Sequence, residues 1–129
     1  MKKILVVEDD FNLAQLVKFR LENAGFQVLV VDSGLEMFKL LRSEKPDLII
    51  LDVMLPKIDG FKLCGLIKKY EPYKEIPIII FTARSGDESK RIAIEIGADA
   101  YITKPFDANV LLNKINELLA KAGSEQPQK

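Results

Sequence analysis

Residues 46–60 read PDLIILDVMLPKIDG, and the reading of this stretch decides the fold. Leu48–Leu51 is a short run that is apolar on both alternate faces. Strands covered by helices on both sides of a parallel sheet have that pattern. Asp52 follows the run directly. An acid after a strand is commonly the N-cap of the next helix. Here Pro56 and the Asp59–Gly60 pair intervene, so Asp52 is badly placed for that role and Asp59 is the better cap.

Working outward, four more runs of strand length appear, at Ile4–Val7, Gln27–Val31, Ile78–Phe81 and Ala100–Thr103. Helical patterns separate them. Leu13, Leu16, Val17, Leu21 and Ala24 recur at helical spacing, with Gly25 as a stop. Ser33 and Glu36 have capping-box spacing before Met37, Leu40 and Leu41. Asp59 precedes Leu63, Leu66 and Ile67; Ser85 and Glu88 form a second capping-box candidate, with Gly97 as the stop. Ile92, Ile94 and Ile96 alternate as a strand would, but the caps on both sides favour helix. Asp107 caps a last helix carrying Leu111, Ile115, Leu118 and Ala122, with Phe106 placed to staple onto Leu111.

Five strand–helix units with right-handed crossovers predict an α/β, flavodoxin-like (βα)5 doubly wound parallel sheet. The expected strand order is 2-1-3-4-5, which sets the ends of strands one and three side by side at the switch point. The domain is expected to span residues 1–122, and GSEQPQK (123–129) reads as a polar tail or the start of a linker.

Composition narrows the function. The 129 residues hold 19 Lys plus Arg against 19 Asp plus Glu, which argues against a nucleic-acid-binding surface spread over the domain. One cysteine, Cys64, excludes an internal disulfide. The absence of histidine excludes a His-ligated metal and a Ser-His-Asp triad within this chain. The opening MKKILVV stops at Glu8, too short for the ~7–15 apolar residues of a signal-peptide core. No apolar run approaches the ~18 residues of a membrane span. A soluble, cytoplasmic protein without membrane contact is the expectation.

Glu8, Asp9 and Asp10 follow strand one, and Asp52 follows strand three. With the expected strand order these carboxylates converge, and Asp10 is free to serve as a cap. Two unit charges ~4 Å apart interact by ~4 kcal/mol at an effective dielectric of ~20. Such a cluster calls for a compensating hard cation, for which Mg2+ is best suited, or else for protonation or fanning into solvent. Thr82 ends strand four and Lys104 ends strand five, and both would face the same crevice. Singly, a strand-end threonine is usually structural and a Lys-Pro pair usually a turn. Together with the acids they suit phosphoryl transfer: a carboxylate attacks, cations neutralise the transferring oxygens, and a hydroxyl donates a hydrogen bond. The Lys104–Pro105 bond is of the kind that adopts cis at modest cost.

The ordered set VVEDD (6–10), LDVMLPKIDG (51–60), FTA (81–83) and YITKPF (101–106) closely resembles the receiver domain of bacterial two-component response regulators, over about Met1–Ala122. The resemblance implies that Asp52 accepts a phosphoryl group from a phosphohistidine on a sensor histidine kinase or phosphotransfer protein. It implies Mg2+ held by Asp9 directly, by Glu8 mainly through water, by Asp52 and by the Met54 backbone carbonyl. Thr82 would be the switch hydroxyl, Lys104 the phosphate-pairing lysine, Tyr101 the switch aromatic and Ala83 the small residue beside the phosphate. Met54 and Arg84 fall at positions that tune dephosphorylation in the family. The chain would then be a regulatory phosphoacceptor, not an enzyme acting on a separate substrate. Its output would be a population shift at the surface of helix four, strand five and helix five. A homodimer through that surface is also implied, but Ala100 stands in GADAYITKPF (97–106) where DNA-binding regulators usually carry a second acid. Lys90, Arg91, Asp99 and Lys114 remain as candidates for charge pairs across it.

Rival readings fare worse. A dehalogenase-type phosphatase needs an acid two residues after its nucleophile, where Met54 stands. A flavodoxin needs a phosphate-binding loop after strand one, where Glu8–Asp10 would repel phosphate. A receiver-like interaction module without phosphorylation typically lacks a pocket residue, and none is missing.

Overall fold

A computed structural model describes residues 1–54, 59–83 and 86–124, without the side chains of 123 and 124. Its elements alternate: β1 (Lys3–Val7), α1 (Phe11–Asn23), β2 (Gln27–Val31), α2 (Gly34–Leu41), β3 (Leu48–Leu51), α3 (Gly60–Lys69), β4 (Ile78–Thr82), α4 (Asp87–Glu95), β5 (Ala100–Thr103) and α5 (Ala108–Ser124). The five strands form one parallel sheet in the order β2-β1-β3-β4-β5, as the alternation predicted.

Strand alternation splits the core in two. Leu5, Val7, Ile49, Leu51, Ile78 and Ile80 face Met37, Leu41, Leu63, Ile67 and Ala93 on α2, α3 and α4. Ile4, Val6, Leu48, Ile50, Ile79 and Phe81 face Val17, Leu21, Leu111, Ile115 and Leu118 on α1 and α5. β3, and β1 and β4 apart from their end residues Lys3 and Thr82, are therefore apolar because both of their faces are covered.

Four caps fall where the sequence placed them. Asp10 accepts from the Leu13 N–H (3.1 Å), Ser33 from Glu36 (3.1 Å), Asp59 from Phe61 (2.8 Å) and Asp107 from Asn109 (2.8 Å). Each such bond contributes on the order of 1 kcal/mol and sets where its helix begins. Phe106 and Leu111 share one core cluster.

Several expectations are corrected. α4 starts at Asp87 with Gly86 at the cap position and no side-chain cap bond, so Glu88 belongs to no capping box there; Ser85 lies outside the described residues. Leu16 and Leu66 are exposed, not core. In α1 the buried set is Ala14, Val17 and Leu21, a narrower stripe than apolar spacing alone suggests. α5 runs to Ser124. The expected tail beyond 124 lies outside the described residues, as do Pro56 and Arg84.

Candidate functional site

Register builds the site. Val7 of β1 pairs with Leu51 of β3, so the residues that follow them, Glu8 and Asp52, emerge together at the carboxyl edge. The Asp52 N–H donates to the Val7 carbonyl (3.1 Å) and the Glu8 N–H to the Val31 carbonyl (3.0 Å), extending the ladder to the pocket rim. On the other flank Thr82 pairs with Thr103, and the Lys104 N–H donates to the Thr82 carbonyl (2.8 Å). The Lys104–Pro105 bond is cis.

Glu8 and Asp52 are buried, at 2% and 4% exposure, while Asp9 is exposed. Buried carboxylates at that level require partners. Asp52 receives two: Met54 N–H donates to Oδ1 (2.9 Å) and Lys104 Nζ to Oδ2 (3.0 Å). The Met54 bond is an i to i+2 contact within the loop, so Asp52 caps no helix. Lys104 Nζ also lies 2.8 Å from Glu8 Oε1. That ion pair is close but poorly directed, and Oε1 stands as a buried oxygen without a hydrogen-bond donor. The other Glu8 oxygen accepts from the Asp10 N–H (3.1 Å).

Electrostatics follow from this shared cation. Burial pushes the Glu8 carboxyl above its ordinary value of 4.5. Lys104 and the Asp10 N–H oppose that, and the charge of Asp52 adds to it. Burial alone would lower the Lys104 ammonium, but Glu8 and Asp52 outweigh it and hold the group above its ordinary 10.5.

The donor set fits a hard cation. Glu8, Asp9 and Asp52 each offer a carboxylate oxygen, all within 4.8 Å of one another. All are oxygen ligands, two are buried and one is open to solvent. Mg2+ favours such a set, since it keeps several waters and takes few carboxylates. A hollow of about 590 Å3 opens beside Glu8 and Asp9, bordered by Phe11, Gln15, Asp32 and Glu36.

Of the other expected residues, Thr82 is fully buried at the end of β4, Ala83 is exposed beside it, and the Met54 side chain is exposed. Tyr101 is half-buried, in register with Ile80 and packed against the core on the α4 side of the sheet. Arg84 lies outside the described residues. Asp99 is engaged within the chain, its Oδ2 accepting from Lys68 Nζ (3.0 Å) and the Ile78 N–H (2.8 Å). Lys114 likewise pairs with Glu117 (3.2 Å).

Two contributors escaped the sequence reading. A Cβ on Gly60 would sit 2.2 Å from Val53 Cα and 2.7 Å from the Asp52 carbonyl oxygen, so α3 presses its first residue onto the Asp52 backbone. The Asp-Gly pair signalled the turn but not this approach. Phe81 carries Lys104 Nζ 5.3 Å from its ring centroid and meets Phe106 edge-on at 5.5 Å. In an apolar strand it was readable only as core.

The sequence matches the family model of the response regulator receiver domain over residues 4–116. It is 37% identical over 126 residues to the alkaline phosphatase synthesis transcriptional regulatory protein PhoP of Bacillus subtilis, covering 98% of this chain and 52% of that protein. It is 42% identical over 121 residues to the transcriptional regulatory protein GltR of Pseudomonas aeruginosa, covering 94% and 50%. The chain thus spans about half the length of the curated relatives it matches. Among solved structures, a CheY-like response regulator receiver domain protein from Methanospirillum hungatei superposes with a TM-score of 0.90 at 31% identity, covering 98% of this chain and 99% of that one.

Proposed function

This chain belongs to the response regulator receiver domains of two-component systems, and we propose that Asp52 is its phosphoacceptor. The observation that carries the reading is the setting of that one carboxylate. It is buried at a strand end, held on Oδ1 by the Met54 N–H and on Oδ2 by Lys104, and grouped with Glu8 and Asp9.

In the proposed step an Asp52 oxygen attacks the phosphorus of a phosphohistidine on a kinase or phosphotransfer protein. The P–N bond breaks, its electron pair returns to the imidazole, and Asp52 becomes an acyl phosphate. Asp9, Glu8 and Asp52, with the Met54 carbonyl, would hold Mg2+, which supplies positive charge to the transferring oxygens. Lys104 neutralises the same oxygens from the opposite flank, and Thr82 donates a hydrogen bond to the phosphoryl group. These groups are positioned by strand ends and so cost little to reorganise. The domain would thereby promote its own phosphorylation and dephosphorylation without acting on a separate substrate.

For output, Thr82 drawn to the phosphate would let Tyr101 move inward, shifting the α4–β5–α5 surface between two populations. A symmetric dimer on that surface would pair Lys90, Arg91 and Lys114 with Asp99 of the other copy; Lys90 and Arg91 are exposed, and Asp99 remains partly open to solvent beside Lys68. Among the described residues no helix is long and apolar enough to cross a membrane. A cytoplasmic location, with no direct nucleic-acid binding by this domain, completes the proposal.

Incubation with acetyl phosphate and Mg2+, read by intact mass, tests it. Wild type gains one phosphoryl group and Asp52→Asn gains none; equal labelling of both would refute the assignment.

A further inference from the structure

Away from the phosphorylation site, the outer face of α3 has a feature that the fold leaves unexplained. Gly65 sits in the interior of α3, where glycine is unfavourable relative to alanine. Neither usual excuse applies. Its φ is not in the left-handed region, and a Cβ built there would meet nothing within 4 Å. Gly60, five residues earlier, is pressed against backbone; Gly65 faces open space. Nothing within the described residues requires position 65 to be small.

The space it leaves belongs to a groove of about 370 Å3 between α3 and the end of α4, lined by Phe61, Lys62, Gly65, Leu66, Lys69 and Ile96. Its middle is apolar, and Leu66 is 55% exposed there. Its charged members among the described residues are two lysines, both on α3 and seven residues apart. They share one stripe of the helix, about 10.5 Å apart along its axis at ~1.5 Å per residue, with Gly65 and Leu66 between them. Neither lysine has a carboxylate within ion-pair distance among the described residues. The nearby acids Asp99 and Glu71 are instead taken by Lys68 and Lys74. The stripe therefore reads cation, apolar hole, cation.

We propose that this groove docks an amphipathic helix of a partner protein, with a bulky apolar residue seated over Gly65 and carboxylates on its flanks meeting Lys62 and Lys69. Charge complementarity selects the acidic helix, because both charged lining groups carry the same sign and are uncommitted. The missing Cβ lets a partner side chain, or the partner backbone itself, approach closer than an alanine would allow. The helix-in-groove mode seats an apolar anchor in such a groove, and here a lysine stands about one turn to either side of it.

The probe is a helical peptide of about 18 residues, five turns long, with glutamates seven apart and a phenylalanine midway between them. Its twin carries lysines in place of the glutamates. Binding to the full chain is read by fluorescence anisotropy, and its location by amide chemical shifts. The acidic peptide is expected to bind at least about tenfold tighter than the twin, to weaken with salt, and to shift Gly65, Leu66 and Ile96. Gly65→Met, which fills the hole, should abolish binding while phosphorylation by acetyl phosphate stays intact. Lys62→Glu with Lys69→Glu should reverse the preference between the two peptides. No binding, equal binding of the twins, or shifts on another face would overturn the proposal. A concentration-dependent dimer in sedimentation that Gly65→Met removes would also overturn it, in favour of a second copy as occupant. None of these results bears on whether Asp52 is phosphorylated.

Discussion

Lys104 stands 2.8 Å from Glu8 and so links the last strand of the sheet to the first, across a pocket whose floor is Asp52. One ammonium serves two carboxylates that are both nearly inaccessible to water. Removing it leaves Glu8 and Asp52 as uncompensated buried charges. Lys104→Met is therefore expected to destabilise the metal-free protein by about 2–4 kcal/mol, below the full cost of breaking a buried pair because the lysine is 17% exposed. Urea denaturation in chelator measures it, and a change under ~0.5 kcal/mol would show that the pair contributes nothing.

The opposite sign is expected for Asp52→Asn. The substitution removes one attraction, to Lys104, and two repulsions, from Glu8 and Asp9. Glu8 then keeps Lys104 to itself. A gain on the order of 1 kcal/mol in chelator follows. An unchanged or lower denaturation midpoint would mean that Lys104 already balances the cluster.

Mg2+ should stabilise the fold by ~2.7 kcal/mol at 100 times its dissociation constant. The gain should grow as pH rises. Glu8 is held above its ordinary 4.5 in the metal-free fold, so the folded protein binds a proton there more tightly than the unfolded chain does. That contribution to stability is complete below pH 4.5 and is lost as pH rises through the folded value. Cation binding needs the ionised form and takes over as the proton leaves. Melting curves with and without Mg2+ across pH 5–8 check this. Glu8→Gln should flatten the pH dependence, and a melting temperature indifferent to millimolar Mg2+ would count against the site.

How much of this was legible beforehand depends on what kind of signal each residue leaves. The strands were readable because both faces of β1, β3 and β4 are covered, so burial is written as unbroken apolar runs. Asp10, Ser33, Asp59 and Asp107 were readable because capping is local chemistry within three residues. The grouping of Glu8, Asp9 and Asp52 with Lys104 was readable because strand order alone brings strand ends together. Leu16 and Leu66 misled because periodicity reports hydrophobicity, whereas exposure depends on which neighbouring helix covers the face. The engagement of Asp99 by Lys68 and Ile78 spans α3, β4 and the approach to β5, and no local pattern encodes a contact 31 residues away. Gly60 looked like half of a turn signal because the backbone it touches is distant in the loop after β3.

Gly60 and Gly65 give a paired test within one helix. Gly60→Ala places a Cβ 2.2 Å from Val53 Cα. Backbone on both sides cannot yield cheaply, so a loss of about 2–3 kcal/mol is expected, with slower phosphorylation as Asp52 is displaced. Gly65→Ala meets nothing within 4 Å and should gain about 0.5–1 kcal/mol from helix propensity alone. Thermal and urea unfolding of both variants decides, and two changes of the same sign would contradict the packing described.

Cys64 supplies the last test, at alkaline pH. It is fully buried in α3, and burial pushes its thiol up from 9.0 to about 11, with Lys68 opposing and Asp99 adding. The folded state thus holds the thiol proton more tightly than the unfolded state. This contribution to stability is complete below pH 9 and is lost between pH 9 and pH 11, as unfolded thiols ionise first. A decline on the order of 1 kcal/mol between pH 9 and pH 10 is expected from this group. Tyrosines and lysines titrate in the same window, so the readout is the difference in slope between wild type and Cys64→Ala, each referred to its own stability at neutral pH. A shallower slope in the variant supports a thiol sealed in the core. Parallel slopes, or rapid labelling of the native protein by a thiol reagent, would show that water reaches Cys64 and that the packing of α3 against the sheet is looser than described.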